Sequence, residues 1–344
     1  KVVAVTGSVG KSTTKEMIAT VLQGHFRVSK TPANFNNDLG MPMAILAMPE
    51  TTEVAVLEMG MNHFREISYL SGIARPDVGV IINVGTMHIE HLGSREGILQ
   101  AKLEILEGME DTAPLFVNAD NDLLASWSVS HAACRFGTGE DCPVRAHSIV
   151  EEPGSIRYTV TARGENFDIK LPVEGMHYVS DSLAAVSVGL LMGLMPQVIA
   201  KRLAAFKTMD GRQEIFQTNG FTIIKDCYNA GPESMAAALA VLGKRQGRRI
   251  AVLGDMLELG DCAPAEHRRV GALAKQNADL VLAYGPNAVF VAEGACDGCE
   301  IFADRALMAE RLKELALPGD VLLFKGSHGM HMELVLEAFL KEKT

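Results

Sequence analysis

A few residues in this chain have the types and spacing to do chemistry. Lys11 and Ser12 follow Thr6-Gly7-Ser8-Val9-Gly10, a run of small residues, and Thr13 comes next. A strand, such a turn, a Lys-Ser pair and a helix together cradle a nucleoside triphosphate. Backbone N–H groups at Gly7, Ser8, Val9 and Gly10 point at phosphate oxygens, the lysine neutralises them, and the hydroxyl reaches Mg²⁺. The fingerprint G-x-x-x-x-G-K-[ST] is incomplete, because its first glycine falls on Val5. The alternative is a strand-to-helix turn with a surface lysine, and the full strand–loop–helix context argues against it.

Other candidates follow along the chain. Glu58 ends an apolar run, where a carboxylate is costly unless it is paired or holds a metal; with Ser12 it would supply the one or two protein oxygens that phosphate-bound Mg²⁺ takes. A helix-capping or solvated glutamate is the alternative. His88 alone reads as an ordinary loop histidine, but it sits in NVGTMHIEHLGS directly after a buried run. Lys102 lies in a charged helical stretch, for which a solvated face is the default reading. Asp226 and Asn229, in KDCYNAGPES, suit either ligand contact or a turn and helix start. Arg212, in KTMDGR, is either a phosphate clamp or an exposed linker arginine. Lys325, Gly326 and Ser327 form another small-residue loop with a positive charge.

These residues need elements to place them. Strands are predicted at Val2–Val5, Phe26–Ser29, Glu53–Leu57, Val78–Val84, Pro114–Asn118 and Cys134–Phe136. Helices are predicted after the glycine turn and at Pro42–Leu46, Glu66–Ile73 and Glu96–Met109. Alternating strand and helix imply a mainly parallel sheet covered on both faces, an α/β phosphate-loop domain with ligands beyond the strand carboxyl ends. Lys11, Glu58 and His88 each lie just past a different strand, which argues for one shared site. From Val144 to Leu171 the pattern becomes a small antiparallel β insertion, followed by helices at His177–Met195 and Gln197–Phe206. A second alternating series, with strands at Thr222–Lys225, Arg249–Leu253, Leu280–Ala283, Ile301–Ala303 and Val321–Phe324, reads as a Rossmann-like α/β domain. Its helices are expected at Glu233–Leu242, Ala265–Gln276, Ala306–Leu315 and Met330–Leu340. The two domains are expected at residues 1–208 and 209–344. No G-x-G-x-x-G opens the second, so a dinucleotide is poorly supported there.

Composition bounds the function. The 344 residues allow two or three domains, and a formal charge of −10 argues against a general nucleic-acid or membrane-surface binder. The most apolar stretch, Leu183 to Met195, is too short to span a bilayer and stops at Pro196, so no membrane insertion and a cytoplasmic location are expected. The six cysteines include a lone C-x-x-C, Cys296 and Cys299, without the second pair a zinc site would want; reduced thiols are expected.

Taken in order, the motifs carry a resemblance. The loop T-G-S-V-G-K-S-T-T-K-E-M, then N-F-N-N-D-L-G-M-P, E-M-G, N-V-G-T-M-H-I-E-H-L-G-S, A-K-L-E-I, G-R, D-C-Y-N-A-G-P-E-S-M, L-G-D-M-L-E-L-G and K-G-S-H-G-M-H-M-E run from one end to the other. Together they resemble the Mur ligases. The Y-N-A-G-P, G-D-M-L-E-L-G and K-G-S elements look most like the member that adds D-alanyl-D-alanine to UDP-N-acetylmuramoyl-tripeptide in peptidoglycan synthesis. A sister Mur ligase, a folylpolyglutamate-synthase-like enzyme and a non-catalytic nucleotide-binding fragment are the alternatives.

The resemblance implies ATP and Mg²⁺, an acyl-phosphate intermediate, a monomer, and closure of the second domain on the first. It implies that Lys11 and the Gly7–Gly10 backbone hold phosphates, that Ser12 and Glu58 hold the nucleotide's Mg²⁺, and that His88 holds a second. Lys102 matches a lysine that is carbamylated in several members, where a carbamate attracts the metal that an ammonium would repel. Asn36, Asn37 and Asp38 resemble a loop near the adenine. Asp226 would contact the ribose, Asn229 the nucleotide region and Arg212 the γ-phosphate, with Lys325, Gly326 and Ser327 near the incoming dipeptide. His328 stands where many relatives have arginine. The chain opens at Lys1, where a UDP-binding domain should just have ended; either a longer natural chain or a protein without that anchor is expected.

Overall fold

The computed structural model describes residues 1–127, 133–296 and 298–341, and divides into two compact units, Lys1–Lys207 and Thr208–Thr344. The first runs β1 (Val2–Thr6), α1 (Lys11–Leu22), β2 (Val28–Lys30), α2 (Gly40–Leu46), β3 (Val54–Glu58), α3 (Glu66–Ala74), β4 (Val78–Ile81), α4 (Ile89–Leu92) and α5 (Arg95–Leu103). It continues with β5 (Leu115–Asn118), α6 (Asp122–Ser126), β6 (Ala133–Gly137), β7 (Val144–Glu152), β8 (Ser155–Ala162), β9 (Glu165–Leu171), α7 (His177–Leu191) and α8 (Pro196–Leu203).

β1 is short and rich in valine because it is buried on both faces, between β3 and β4 and under two helical layers. Its residues alternate as a strand must. Val3 and Val5 pack into the core shared with α1 and α7, whereas Ala4 faces the core built with α3 and α5. The sheet order is β2-β3-β1-β4-β5-β6-β7-β8-β9, parallel from β2 through β7. The β insertion expected from the sequence does not stand apart. Its hairpins β7-β8-β9 pair antiparallel and extend the same sheet.

The helix expected over Glu96–Met109 stops at Leu103 and tightens into a 3₁₀ turn over Glu104–Gly108. The reason is a contact with α3, distant in sequence. The Glu104 carboxylate turns back to accept the backbone N–H groups of Arg65 (2.8 Å) and Ser68 (3.2 Å) at the start of α3, and the Ser71 hydroxyl donates to the Ile105 carbonyl. Helix α5 is thereby fixed against α3, with Lys102 in its last turn.

The second unit runs β10 (Glu214–Thr218), β11 (Phe221–Asp226), α9 (Pro232–Gly243), β12 (Arg249–Gly254), α10 (Ala263–Asn277), β13 (Leu280–Tyr284), α11 (Ala288–Ala295), β14 (Cys299–Phe302), α12 (Arg305–Leu315), β15 (Val321–Lys325) and α13 (Met332–Leu340). Its sheet order is β10-β11-β15-β12-β13-β14, parallel except for the edge pair β10-β11. Strand β10 is absent from the sequence reading; Asn219 and Gly220, both at positive φ, make the hairpin turn that joins it to β11. The six cysteines form no disulfide, and burial pushes the Cys227 thiol up to about 12. Among the described residues no helix is long and apolar enough to cross a membrane.

Replacing Glu104 by Ala removes a charged acceptor from two half-buried N–H groups at the start of α3 and is expected to cost about 2 kcal/mol. Thermal unfolding of the variant should shift down by about 4–8 °C.

Candidate active site

The sheet order puts the carboxyl ends of β3, β1 and β4 side by side, and each end delivers a candidate residue. From β1 the chain enters the glycine turn. Gly10 has φ +86°, and a Cβ there would lie 2.5 Å from Asp181 Oδ1, so glycine is required by both conformation and space. Helix α1 begins at Lys11. Lys11 Nζ lies over its own loop, donating to the carbonyls of Gly7 (2.9 Å) and Ser8 (3.3 Å). Ser12 and Thr13 are buried at the start of the helix.

The loop is shaped from the neighbouring strand. Asn83, just past β4, accepts the N–H groups of Ser8 and Val9 at Oδ1 (both 2.9 Å) and donates from Nδ2 to the Val9 carbonyl (2.7 Å). Gly85 N–H donates to Ser8 Oγ (2.9 Å). On the other side Thr14 Oγ1 donates to Asp181 Oδ1 of α7 (3.1 Å). The turn is therefore held in one shape before any ligand arrives, and the N–H groups of Ser8 and Val9, expected to point at phosphate, are instead taken up by Asn83.

Glu58 ends β3 and is 2% exposed, which removes the solvated alternative. Its N–H donates to Thr31 Oγ1 (3.0 Å), and Oε1 accepts from Asn36 Nδ2 (2.8 Å). Oε2 is buried and has no hydrogen bond. A buried carboxylate oxygen left in this way suits a cation ligand. Among the described residues no three His, Cys, Asp or Glu side chains form a metal cage of their own. A cation here would hold one or two protein oxygens and complete its shell with phosphate and water, as Mg²⁺ does.

His88 initiates α4 with φ +66°, an uncommon conformation for a non-glycine residue. Lys102 is 2% exposed, so the solvated helix face expected for it is wrong. Burial first, and then the charge of Lys11, hold its ammonium well below the ordinary lysine value. Lys102 lies in the last turn of α5, the helix that follows the His88 loop. Asn37 and Asp38 are exposed on the loop after Asn36, with Asn37 Oδ1 accepting the Gly40 N–H (2.7 Å).

In the second unit Asp226, Asn229, Lys325 and Ser327 come together at the carboxyl ends of β11 and β15. Lys325, expected near the incoming dipeptide, is 1% exposed; Nζ donates to Asp226 Oδ2 (2.7 Å) and to the Asn229 carbonyl (2.9 Å). Ser327 Oγ donates to the Ala230 carbonyl (3.2 Å) and accepts the Leu257 N–H (2.9 Å). Gly326 is buried between them, and a Cβ there would meet Met332 at 2.7 Å. Asp226 Oδ1 accepts the Gln213 N–H (3.2 Å), and the Arg212 guanidinium stacks 3.9 Å from the Tyr228 ring centroid. These side chains first of all fix the loops of their own unit.

Asn83, Asp181 and Lys15 escaped the sequence reading. Asn83 was readable as the one polar residue in the apolar run Val78–Val84. Asp181 and Lys15 are wholly buried charges inside helices, and helical periodicity alone does not separate them from a solvated face.

Removing the Asn83 amide with Asn83→Ala takes three hydrogen bonds from the phosphate loop. Affinity for a fluorescent adenine nucleotide is expected to fall about tenfold, a loss of about 1.4 kcal/mol, read by fluorescence titration.

With this geometry in place, comparison with known proteins is informative. Residues 5–189 match the Mur ligase middle domain and residues 211–328 the Mur ligase, glutamate ligase domain. A Bacillus subtilis protein named UDP-N-acetylmuramoyl-tripeptide–D-alanyl-D-alanine ligase is 39% identical, over 99% of this chain and 76% of its own length. The Escherichia coli protein of the same name is 34% identical, over 100% of this chain and 78% of its own. Among solved structures, MurF from Acinetobacter baumannii superposes with a TM-score of 0.93 at 34% identity, covering 99% of this chain and 77% of that one. MurF ligase from Thermotoga maritima, in complex with ADP, gives 0.91 at 32%, covering 99% and 80%.

Proposed function

The chain belongs to the Mur ligase family, and from that premise we propose that its first unit is the ATP site of a peptide ligase that joins D-alanyl-D-alanine to UDP-N-acetylmuramoyl-tripeptide in peptidoglycan biosynthesis. The observation that carries this reading is the convergence of the phosphate loop, Glu58 and Lys102 at the ends of adjacent strands and the helix beside them. A nucleotide phosphate, a divalent cation and a carboxylate awaiting phosphorylation need that combination of charges.

In the reaction a terminal carboxylate oxygen of the tripeptide attacks the γ-phosphorus and ADP leaves. The dipeptide amine then attacks the acyl-phosphate carbon, and phosphate departs with the former carboxylate oxygen. The chain's residues supply electrostatics and position rather than covalent chemistry. Backbone N–H groups of the loop and Lys11 take the phosphate charge. Ser12 and Glu58 would hold a Mg²⁺ ion on the phosphates, and His88 and Lys102 would hold a second; bound there, the cations offset negative charge as the phosphoryl group moves. Asn36 orients Glu58 by occupying Oε1, which would leave the other oxygen for the cation.

Lys102 enters this scheme as a carbamate. Its depressed basicity leaves the amine nitrogen with a lone pair for CO₂; attack on the carbon with loss of a proton leaves an anion beside Lys11 in place of a second cation. The roles assigned to Asn37, Asp38, Arg212, Asp226, Asn229, Lys325, Gly326 and Ser327 toward nucleotide and dipeptide rest on their match to the family's motifs. A monomer working in the cytoplasm, where ATP and the nucleotide-linked precursor are found, belongs to the same reading.

Lys11→Ala is expected to lower ligation-coupled ATP turnover by at least about a hundredfold; a variant that releases ADP at the wild-type rate would refute the phosphate-loop assignment. Lys102→Ala should lose activity about 10- to 100-fold and regain part of it in formate or acetate, which restore an anion to the vacated space. A variant indifferent to short carboxylates would remove the carbamate from the scheme.

A further inference from the structure

Lys15 is the largest wholly buried side chain of α1, at 0% exposure, one turn beyond Lys11. Nothing in the scheme above uses it. Its ammonium donates to two carbonyls of the loop after β2, Thr31 (2.8 Å) and Ala33 (3.3 Å). It also lies 3.6 Å from Glu58 Oε2 and 3.6 Å from Glu16 Oε1, and Glu16 in turn pairs with Lys30. Ala33, held by this contact, sits at φ +43° without being glycine. The same loop brings Thr31 Oγ1 to the Glu58 N–H and Asn36 Nδ2 to Glu58 Oε1, and is pinned at its far end by Gly60 N–H donating to the Asn36 carbonyl (2.8 Å).

We propose that Lys15 is a positioning residue for the metal-binding carboxylate: it clamps the 31–37 loop and Glu58 onto the phosphate-loop helix while leaving Glu58 Oε2 open to a cation. The geometry explains both halves. Two carbonyls hold the ammonium at ion-pair distance from Oε2 but outside hydrogen-bond distance, so the buried carboxylate has a counter-charge without being capped. Because Lys11, Ser12 and Lys15 share the first turns of one rigid helix, the clamp also sets the distance between phosphate and cation. The inference rests on the reading of Glu58 as a Mg²⁺ ligand.

The test uses the whole chain, with binding of a fluorescent ADP analogue measured in Mg²⁺ and in EDTA for wild type, Lys15→Met, Glu58→Gln and the double variant. Lys15→Met is expected to weaken binding in Mg²⁺ by about 10- to 100-fold, as outer-shell changes do, and to change binding in EDTA by less than about twofold. In the Glu58→Gln background the Lys15 change should add less than about twofold. Hydrogen exchange of the metal-free protein should show the Gly60 amide exchanging at least about tenfold faster in Lys15→Met. Equal weakening in Mg²⁺ and EDTA, or a Lys15 effect undiminished in Glu58→Gln, would overturn the positioning role while the Glu58 reading stands. Glu58→Gln that leaves the Mg²⁺ dependence intact would overturn the Glu58 reading and the Lys15 role with it. If Lys15→Met does not fold, Lys15→Gln, which keeps a donor and loses the charge, is judged by the same outcomes.

Discussion

The constraint on which the first unit depends is the burial of opposite charges at one end of a parallel sheet. Glu58, Lys15 and Lys102 are all at most 2% exposed. Taking such groups out of water costs several kcal/mol each unless geometry and hydrogen bonds offset it. Much of the local architecture is that offset. The 31–37 loop closes over Glu58 and Lys15. Lys15 is balanced there by Glu58 and Glu16, while Lys11 stays over the phosphate loop on two carbonyls, a charge that suits the site to a nucleotide.

The surrounding fold converts this charge cluster into a defined shape. The order β3-β1-β4 sets the Glu58, phosphate-loop and Asn83 ends next to one another, while α7 supports the loop through Asp181 and Thr14. Helix α5 brings Lys102 in from the side, braced by the Glu104 carboxylate at the start of α3. In the second unit the same economy of buried polar groups recurs with Lys325 and Asp226, whose pairing joins β11 to β15. A helix or strand of similar hydrophobicity but without these polar ties would fold, yet would not fix the phosphate-to-cation distance on which phosphoryl transfer depends.

Much of this was legible in the sequence because it follows local rules. The Val2–Val5 run, the small-residue turn and the Lys-Ser pair specify a strand, loop and helix by themselves, and the alternation of elements specifies a parallel sheet. Glu58 and His88 could be placed at one edge because both follow apolar runs. What escaped depends on contacts distant in sequence. The Glu96–Met109 helix ends early because Glu104 is drawn to α3. Lys102 read as solvated and Lys15 went unread, because nothing near them in the chain says which neighbours will cover them. Strand β10 needed only more weight on its Asn219-Gly220 turn.

The central claim is that this chain activates a carboxylate by phosphorylation at the phosphate-loop site. Turnover of UDP-N-acetylmuramoyl-tripeptide labelled with ¹⁸O in its terminal carboxylate, with ATP, Mg²⁺ and D-alanyl-D-alanine, tests it directly by mass analysis of the released phosphate. Transfer of one labelled oxygen from each peptide joined into the phosphate is the expected result. Amide formation with unlabelled phosphate would contradict the acyl-phosphate route and the site built to support it.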